Sequence, residues 1–194
     1  MTVTQWHTYF DILVDKYGSP YFTTNEKDLL FNRAQFKVLD SILGGEETQL
    51  QEELLRNNLR VSTVNSTGSG IITDAAINAS INAIFYKIRR VEVGGVEARY
   101  STLNKDRTNS FKAPTLDKLR YGYNNAGIYI LPATAYTNVK VTVVTEPTLV
   151  SYPSTSSTMP EEAHNLIIAT AVDLAGIATR DEVLPQLNQL NKWH

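Results

Sequence analysis

Apolar positions in the first third of the chain recur with the period of a helix. Trp6, Tyr9, Phe10, Leu13 and Tyr17 fall on one face, and Gly18 followed by Ser19-Pro20 supplies a stop, so the spacing predicts a helix over residues 3–17. A second helix is expected from Thr23, where Glu26 stands three residues on as in a capping box. Leu30, Ala34, Val38 and Ile42 follow at four-residue steps up to Gly44-Gly45. At about 1.5 Å per residue this helix would be roughly 30 Å long. Phe31 and Phe36 lie off its main stripe, so it is apolar over a wide arc and should touch two neighbours. A shorter helix over residues 46–57 adds Leu50, Leu54 and Leu55.

The period then changes. Residues 65–70 are loop chemistry, and from about residue 83 the chain is rich in β-branched and aromatic residues with turn signals between runs. Residues 83–93 and 96–102 flank Gly94-Gly95, a two-residue loop able to take the positive φ of a tight hairpin. A further pair is expected from residues 127–132, after the Asn124-Asn125-Ala126 turn, and from Val139, Val141 and Val143, which alternate with Lys140 and Thr142. Residues 103–119 are polar, contain Pro114 and read as an excursion or a short helical turn rather than a strand. Residues 146–158 form a Pro/Ser/Thr linker with little capacity to pack.

Pro160 at a first helical position, with Glu161 and Glu162 in the first turn, opens a helix with Ala163, Leu166, Ile167, Ala171, Leu174, Ala175 and Ala178 along one side. Its small residues allow close approach to the first two helices. A last segment from Asp181 carries Leu184, Leu187 and Leu190 and ends at Trp193-His194. The expected architecture is α+β: a helical bundle from residues 1–60 and 159–194, with an inserted small antiparallel β-sheet and linker over residues 61–158.

Composition narrows the function classes. With 42% hydrophobic and 20% charged residues the 194-residue chain can bury a core. A formal charge of -2 provides no whole-chain basic footprint for phosphate neutralisation. The absence of Cys excludes disulfides, thiolate metal sites and a cysteine nucleophile. No signal-like N-terminus and no long apolar run is present, so neither export nor a membrane anchor is expected.

Motifs for catalysis do not assemble. His7, His164 and His194 have no metal-ligand spacing, and packed or solvated imidazoles are the expected outcome. Gly68-Ser69-Gly70 continues Ile-Ile-Thr73 where a phosphate loop or dinucleotide fingerprint needs other residues. No Ser stands between glycines two residues away on both sides. Lys87, Arg89 and Arg90 beside Phe85 and Tyr86 have the residue types of a single-strand stacking platform, but read better as a sheet face with edge protection. Glu46-Glu47 and Glu52-Glu53 diverge on a helix and read as a solvated face. Phe31, Phe36 and Trp193 are candidate interface anchors, with core burial as the competing fate. No cofactor and no metal is called for.

Three stretches carry a resemblance. They are Phe10-Asp-Ile-Leu-Val-Asp-Lys-Tyr-Gly-Ser-Pro-Tyr-Phe-Thr-Thr-Asn-Glu-Lys-Asp28 leading into Asn32-Arg-Ala-Gln35; the order Tyr86-Lys-Ile-Arg-Arg-Val-Glu-Val93, Gly94-Gly95, Ala113-Pro114, Gly127-Ile-Tyr-Ile-Leu-Pro132, Val139-Lys-Val-Thr-Val-Val-Thr-Glu-Pro147; and Met159-Pro-Glu-Glu-Ala-His164 opening an alanine-rich helix. In pattern and order the chain resembles the head-to-tail connector proteins of tailed bacteriophages, in particular adaptor or ring subunits of short-tailed and crAss-like phages. The resemblance implies a virion protein without enzymatic activity. Copies of it would form a ring below the portal, touching portal and tail proteins, with DNA passing through the lumen and no membrane involved. Glu46, Glu47, Glu52 and Glu53 would then be candidates for lining the channel, where carboxylates let a phosphate backbone slide. The alternative is a small binding module that recognises glycan or protein through its sheet.

Overall fold

The computed structural model describes the chain apart from residues 16–21, 46–48, 102–113 and 191–194 and the side chains of Asp15 and residues 178–190. In chain order the elements are α1 (Val3–Asp15), α2 (Thr24–Gly44), α3 (Gln49–Leu55), β1 (Leu59–Val64), β2 (Ile71–Ile72), α4 (Asp74–Ile81), β3 (Phe85–Val93), β4 (Val96–Tyr100), β5 (Arg120–Asn124), β6 (Gly127–Leu131), β7 (Val139–Thr145) and α5 (Glu161–Leu190). They fall into two compact units, Met1–Asn57 with Pro147–His194, and Asn58–Glu146.

In the helical unit, α2 starts where its sequence says it should. The Thr23 hydroxyl accepts the Glu26 N–H while the Glu26 carboxylate accepts the Thr23 N–H, which satisfies two otherwise orphaned donors. Trp6 and Phe10 of α1 meet Phe31 of α2 edge-on, with ring centroids 5.4 and 5.5 Å apart, and all three are fully buried. Ala163, Ile167, Ile168, Ala171 and Ala175 of α5 complete the core; its alanines let α5 lie close against α1 and α2.

The stretch between the last strand and α5 is held by a polar stripe on α2. Asp28, Asn32 and Gln35 recur at helical spacing on one face. The Asn32 amide donates to the Val150 carbonyl at 3.1 Å and accepts the Val150 N–H at 2.7 Å, pairing with that residue as a neighbouring strand would. Asp28 accepts the Tyr152 N–H at 3.0 Å and is bonded to His7 at 2.8 Å. Fully buried Gln35 reaches the Thr148 carbonyl and accepts the Ser157 hydroxyl. Val150 and Met159 are buried as a result. The expectation of a linker with little capacity to pack is thus corrected: its few apolar side chains suffice once α2 satisfies its backbone.

Among the described residues the other unit is a seven-stranded sheet in the order β1-β7-β3-β4-β5-β6-β2, antiparallel except for β4 against β5. Residues 65–70 alone join the two edge strands. That path reaches at most about 25 Å, whereas the edges of a flat seven-stranded sheet would stand about 29 Å apart. The sheet therefore curls. Hydrogen bonds from Ser66 N–H to the Tyr136 carbonyl and from Asn138 N–H to the Asn65 side chain, both 2.9 Å, fasten the joining loop. Inside the curl Val91, Ile128, Ile130, Val139, Val141 and Val143 pack with Ile77 of α4, which lies against β1. Gly94 and Gly95 at φ 57° and 85° make the two-residue hairpin between β3 and β4.

The expected helical bundle with a small inserted antiparallel sheet is not what forms. The chain is an α+β protein whose bulk is a curled, mixed, seven-stranded sheet, accompanied by five helices among the described residues. Three strands carry no clear alternation: β1 is interrupted by polar residues, β2 has two residues, and β5 has glycine at its centre. Residues 127–131 and 139–145 do not pair with each other; β6 lies between β5 and β2, and β7 between β1 and β3. Helix α4 lies in residues 71–82, for which no element is expected from the sequence, and α5 runs on through the last segment from Asp181.

Asn32→Ala removes both partners of the Val150 backbone and should cost about 3 kcal/mol, since each buried peptide group left unmatched costs about 1–3 kcal/mol. Exposed Arg33→Ala should stay within about 0.5 kcal/mol. Urea unfolding midpoints measure both, and a loss below about 1 kcal/mol for Asn32→Ala would show that this amide does not hold the segment.

Candidate functional site

Strand β4 changes partner halfway along its length. Val96–Ala98 pair with Val93–Val91 of β3, but Arg99 and Tyr100 pair in parallel with Arg120 and Tyr121 of β5. Meanwhile residues 85–92 of β3 stay with β7. The sheet parts between them into a groove of about 440 Å³ lined by Phe85, Tyr86, Lys87, Ile88, Tyr100, Tyr121 and Tyr123.

Tyr121 and Tyr123, two residues apart, face the inside of the curl with their buried partners Ile130 and Ile128. Tyr100 stands edge-on to Tyr121 with centroids 5.6 Å apart and is 63% exposed. The Tyr123 hydroxyl donates to the Asp74 carboxylate, which raises its pKa to about 12. Burial pushes Tyr121 up as well, reinforced by Tyr100 and Glu97. Tyr121 and Tyr123 are therefore neutral phenols at physiological pH. The groove offers ring faces, the hydrogen-bonded phenol of Tyr123 and the exposed Lys87 side chain, a chemistry suited to stacking and apolar contact.

The outer face of the sheet is different. Side chains directly paired across strands share a face, so the inward Val141 and Val91 leave Lys140 and Thr142 pointing outward with their partners Glu92 and Arg90. Glu97 pairs with Glu92, and Arg99 with Arg120, on the same outer side. Arg90 and Glu97 form an ion pair at 3.0 Å. Arg90, Arg99, Arg120 and Lys140 thus share this face with Glu92 and Glu97. Across residues 58–146 there are 11 Lys and Arg against 6 Asp and Glu, a formal +5. The remaining residues carry 7 against 14, a formal -7. The near-neutral whole-chain value averages two units of opposite sign, so the exclusion drawn from it does not transfer to the sheet unit alone.

The helices of the first unit also present apolar residues outward. Tyr9 and Ile12 on α1, Leu166 and Ile177 on α5, Leu29 on α2 at 64% and Leu50 on α3 at 63% are exposed.

The residues singled out by the sequence scatter. Phe31 is in the core between Trp6 and Phe10, so it offers no ring to a partner surface. Phe36 is half-buried on α2, Glu52 and Glu53 are exposed on α3, and Trp193, Glu46 and Glu47 lie outside the described residues. Both described histidines are structural: His7 is bonded to Asp28, and His164 sits edge-on to Trp6 with its Nε2 at 3.0 Å from the Met159 carbonyl. The Gly68-Ser69-Gly70 loop is closed on itself by Thr67, whose hydroxyl meets Ser69 and accepts the Ile71 N–H. Phe85, Tyr86 and Lys87 stand out in the sequence, whereas Tyr100, Tyr121 and Tyr123 do not; Tyr121 and Tyr123 straddle Gly122 in a stretch too short to announce a strand face.

Among the described residues no group of three or more His, Asp or Glu could hold a metal ion, and no helix is long and apolar enough to cross a membrane. The chain matches no known protein family, and no curated protein is similar to it.

Burial holds the pKa of His164 below its ordinary value of 6.5. The unfolded chain therefore binds this proton first, so the stabilising contribution is full above about pH 6.5 and is lost as pH falls through 6.5 towards the depressed folded value. His164→Gln should flatten the decline in urea midpoint between about pH 7.5 and 5.5; an unchanged slope would contradict this role.

Proposed function

We propose that the chain is a structural subunit of the connector ring between head and tail of a tailed bacteriophage, made in the bacterial cytoplasm and incorporated in the virion. Copies close around a channel for DNA and meet portal and tail proteins, and the work is contact rather than turnover. The observation that carries this reading is the outward apolar set on the four described helices of the helical unit, Tyr9, Ile12, Leu29, Leu50, Leu166 and Ile177. Each of these helices already buries apolar side chains inward, so the outward residues are surplus to the unit's own core, as expected of an element that packs against copies and neighbours. The resemblance of the terminal segments to phage connector subunits supports the same conclusion.

The tyrosine-lined groove favours a second reading, a binding module that takes up an aromatic or apolar group of a glycan or protein through the sheet. The two differ in stoichiometry, since a connector must close a ring and a module need not.

Mixed with portal-bearing heads, the purified chain should co-sediment and appear as rings by negative stain. Leu29→Asp combined with Leu166→Asp should leave the unfolding midpoint within about 0.5 kcal/mol because both positions are exposed, yet abolish co-sedimentation. A parent chain that stays monomeric with heads present would overturn the ring.

A further inference from the structure

We propose that neighbouring copies meet through opposite charge, the basic outer face of the sheet in one copy lying against the acidic helical unit of the next. This rests on the ring reading and specifies which surfaces close it.

The sheet unit carries +5 and the helical unit -7. On the sheet, strand alternation gathers Arg90, Arg99, Arg120 and Lys140 on one side, with Val61 of β1 exposed beside them as the outward partner of Thr142. On the helices, α3 presents Glu52 and Glu53 to solvent together with Leu50, and α2 presents Asp40. Each surface thus pairs charge with an apolar contact, the charge steering the encounter and the apolar side chain adding affinity.

At the two-fold axis itself a dimer sets a patch against its own copy, which here brings acid to acid or base to base. Contact between unlike patches removes that repulsion and, used head to tail, propagates around a ring. Duplex DNA is the less suitable occupant of the sheet face, because Glu92 and Glu97 are interleaved with its cations and Glu97 already engages Arg90.

The test uses the full chain. Arg99→Glu with Lys140→Glu reverses the sheet face, Glu52→Lys with Glu53→Lys reverses the helical face, and a swap chain carries all four; every one of these positions is exposed. Association, with and without heads, is measured by sedimentation velocity in about 50 mM and about 500 mM NaCl, where screening differs strongly. Each double reversal should weaken association by about tenfold at low salt, high salt should erase the difference, and the swap chain should recover. Reversals that assemble like the parent, or a swap chain that does not recover, would overturn the contact while leaving the ring standing. A parent chain that never associates would remove both. Loss of short-duplex binding on sheet reversal, unrestored by the swap, would assign the face to DNA and overturn the proposal.

Discussion

A single side-chain amide holds the return of the chain in place. Asn32 offers Val150 the donor and acceptor that a neighbouring strand would offer, and with Asp28 and Gln35 it makes one face of α2 a template for backbone rather than for apolar side chains. This determines where α5 begins, because the Ser157 hydroxyl that reaches Gln35 also accepts the Met159 N–H, just before Pro160 and the first turn of the helix. The aromatic cluster of Trp6, Phe10 and Phe31 then has its third wall. Fully buried Gln35 and half-buried Asn32 stabilise only when their partners are present, so the stripe specifies one position for the segment where an apolar stripe would allow several.

In the sheet unit the decisive feature is a strand that serves two partners. Because β4 leaves β3 after Ala98 and joins β5 at Arg99, the sheet can curl without a continuous ladder, and the parting becomes the groove. Gly122 makes room on the outside: a Cβ there would meet the Tyr129 hydroxyl at 1.9 Å, so the ring crosses the glycine and donates to the Ser101 carbonyl at 3.1 Å. One tyrosine thus covers the strand whose Tyr121 and Tyr123 line the groove on its other face.

What could be read from the sequence was what is local. The capping box of α2, the start of α5 at Pro160 and the Gly94-Gly95 hairpin are decided within a few residues, and each is present. The partners of residues 147–159 are not local: Asn32 and Val150 are 118 positions apart, and nothing in a Pro/Ser/Thr stretch announces which amide will pair with it. Strands β2 and β5 escaped for a related reason, since two residues or a central glycine carry no periodicity and are strands only because β6 lies between them. The tyrosines of the groove are visible as residues but not as a site, because it takes the parallel β4–β5 pairing to set Tyr100 beside Tyr121.

Charge shows the same limit of whole-chain quantities and also what the fold makes of it. A value of -2 describes a molecule with almost no field, yet the folded chain segregates -7 and +5 into separate bodies. Each body repels its like, which discourages contact of helical unit with helical unit through the exposed Leu29 and Leu50, or of sheet with sheet through the exposed Val61. Attraction survives only for unlike bodies, and it fades within about 10 Å at moderate salt, so it acts at the last step of approach, when the outward apolar residues are already close. An arrangement of this kind separates two tasks that one apolar patch would confuse: the charges choose which faces meet, and the apolar side chains hold them once they have met.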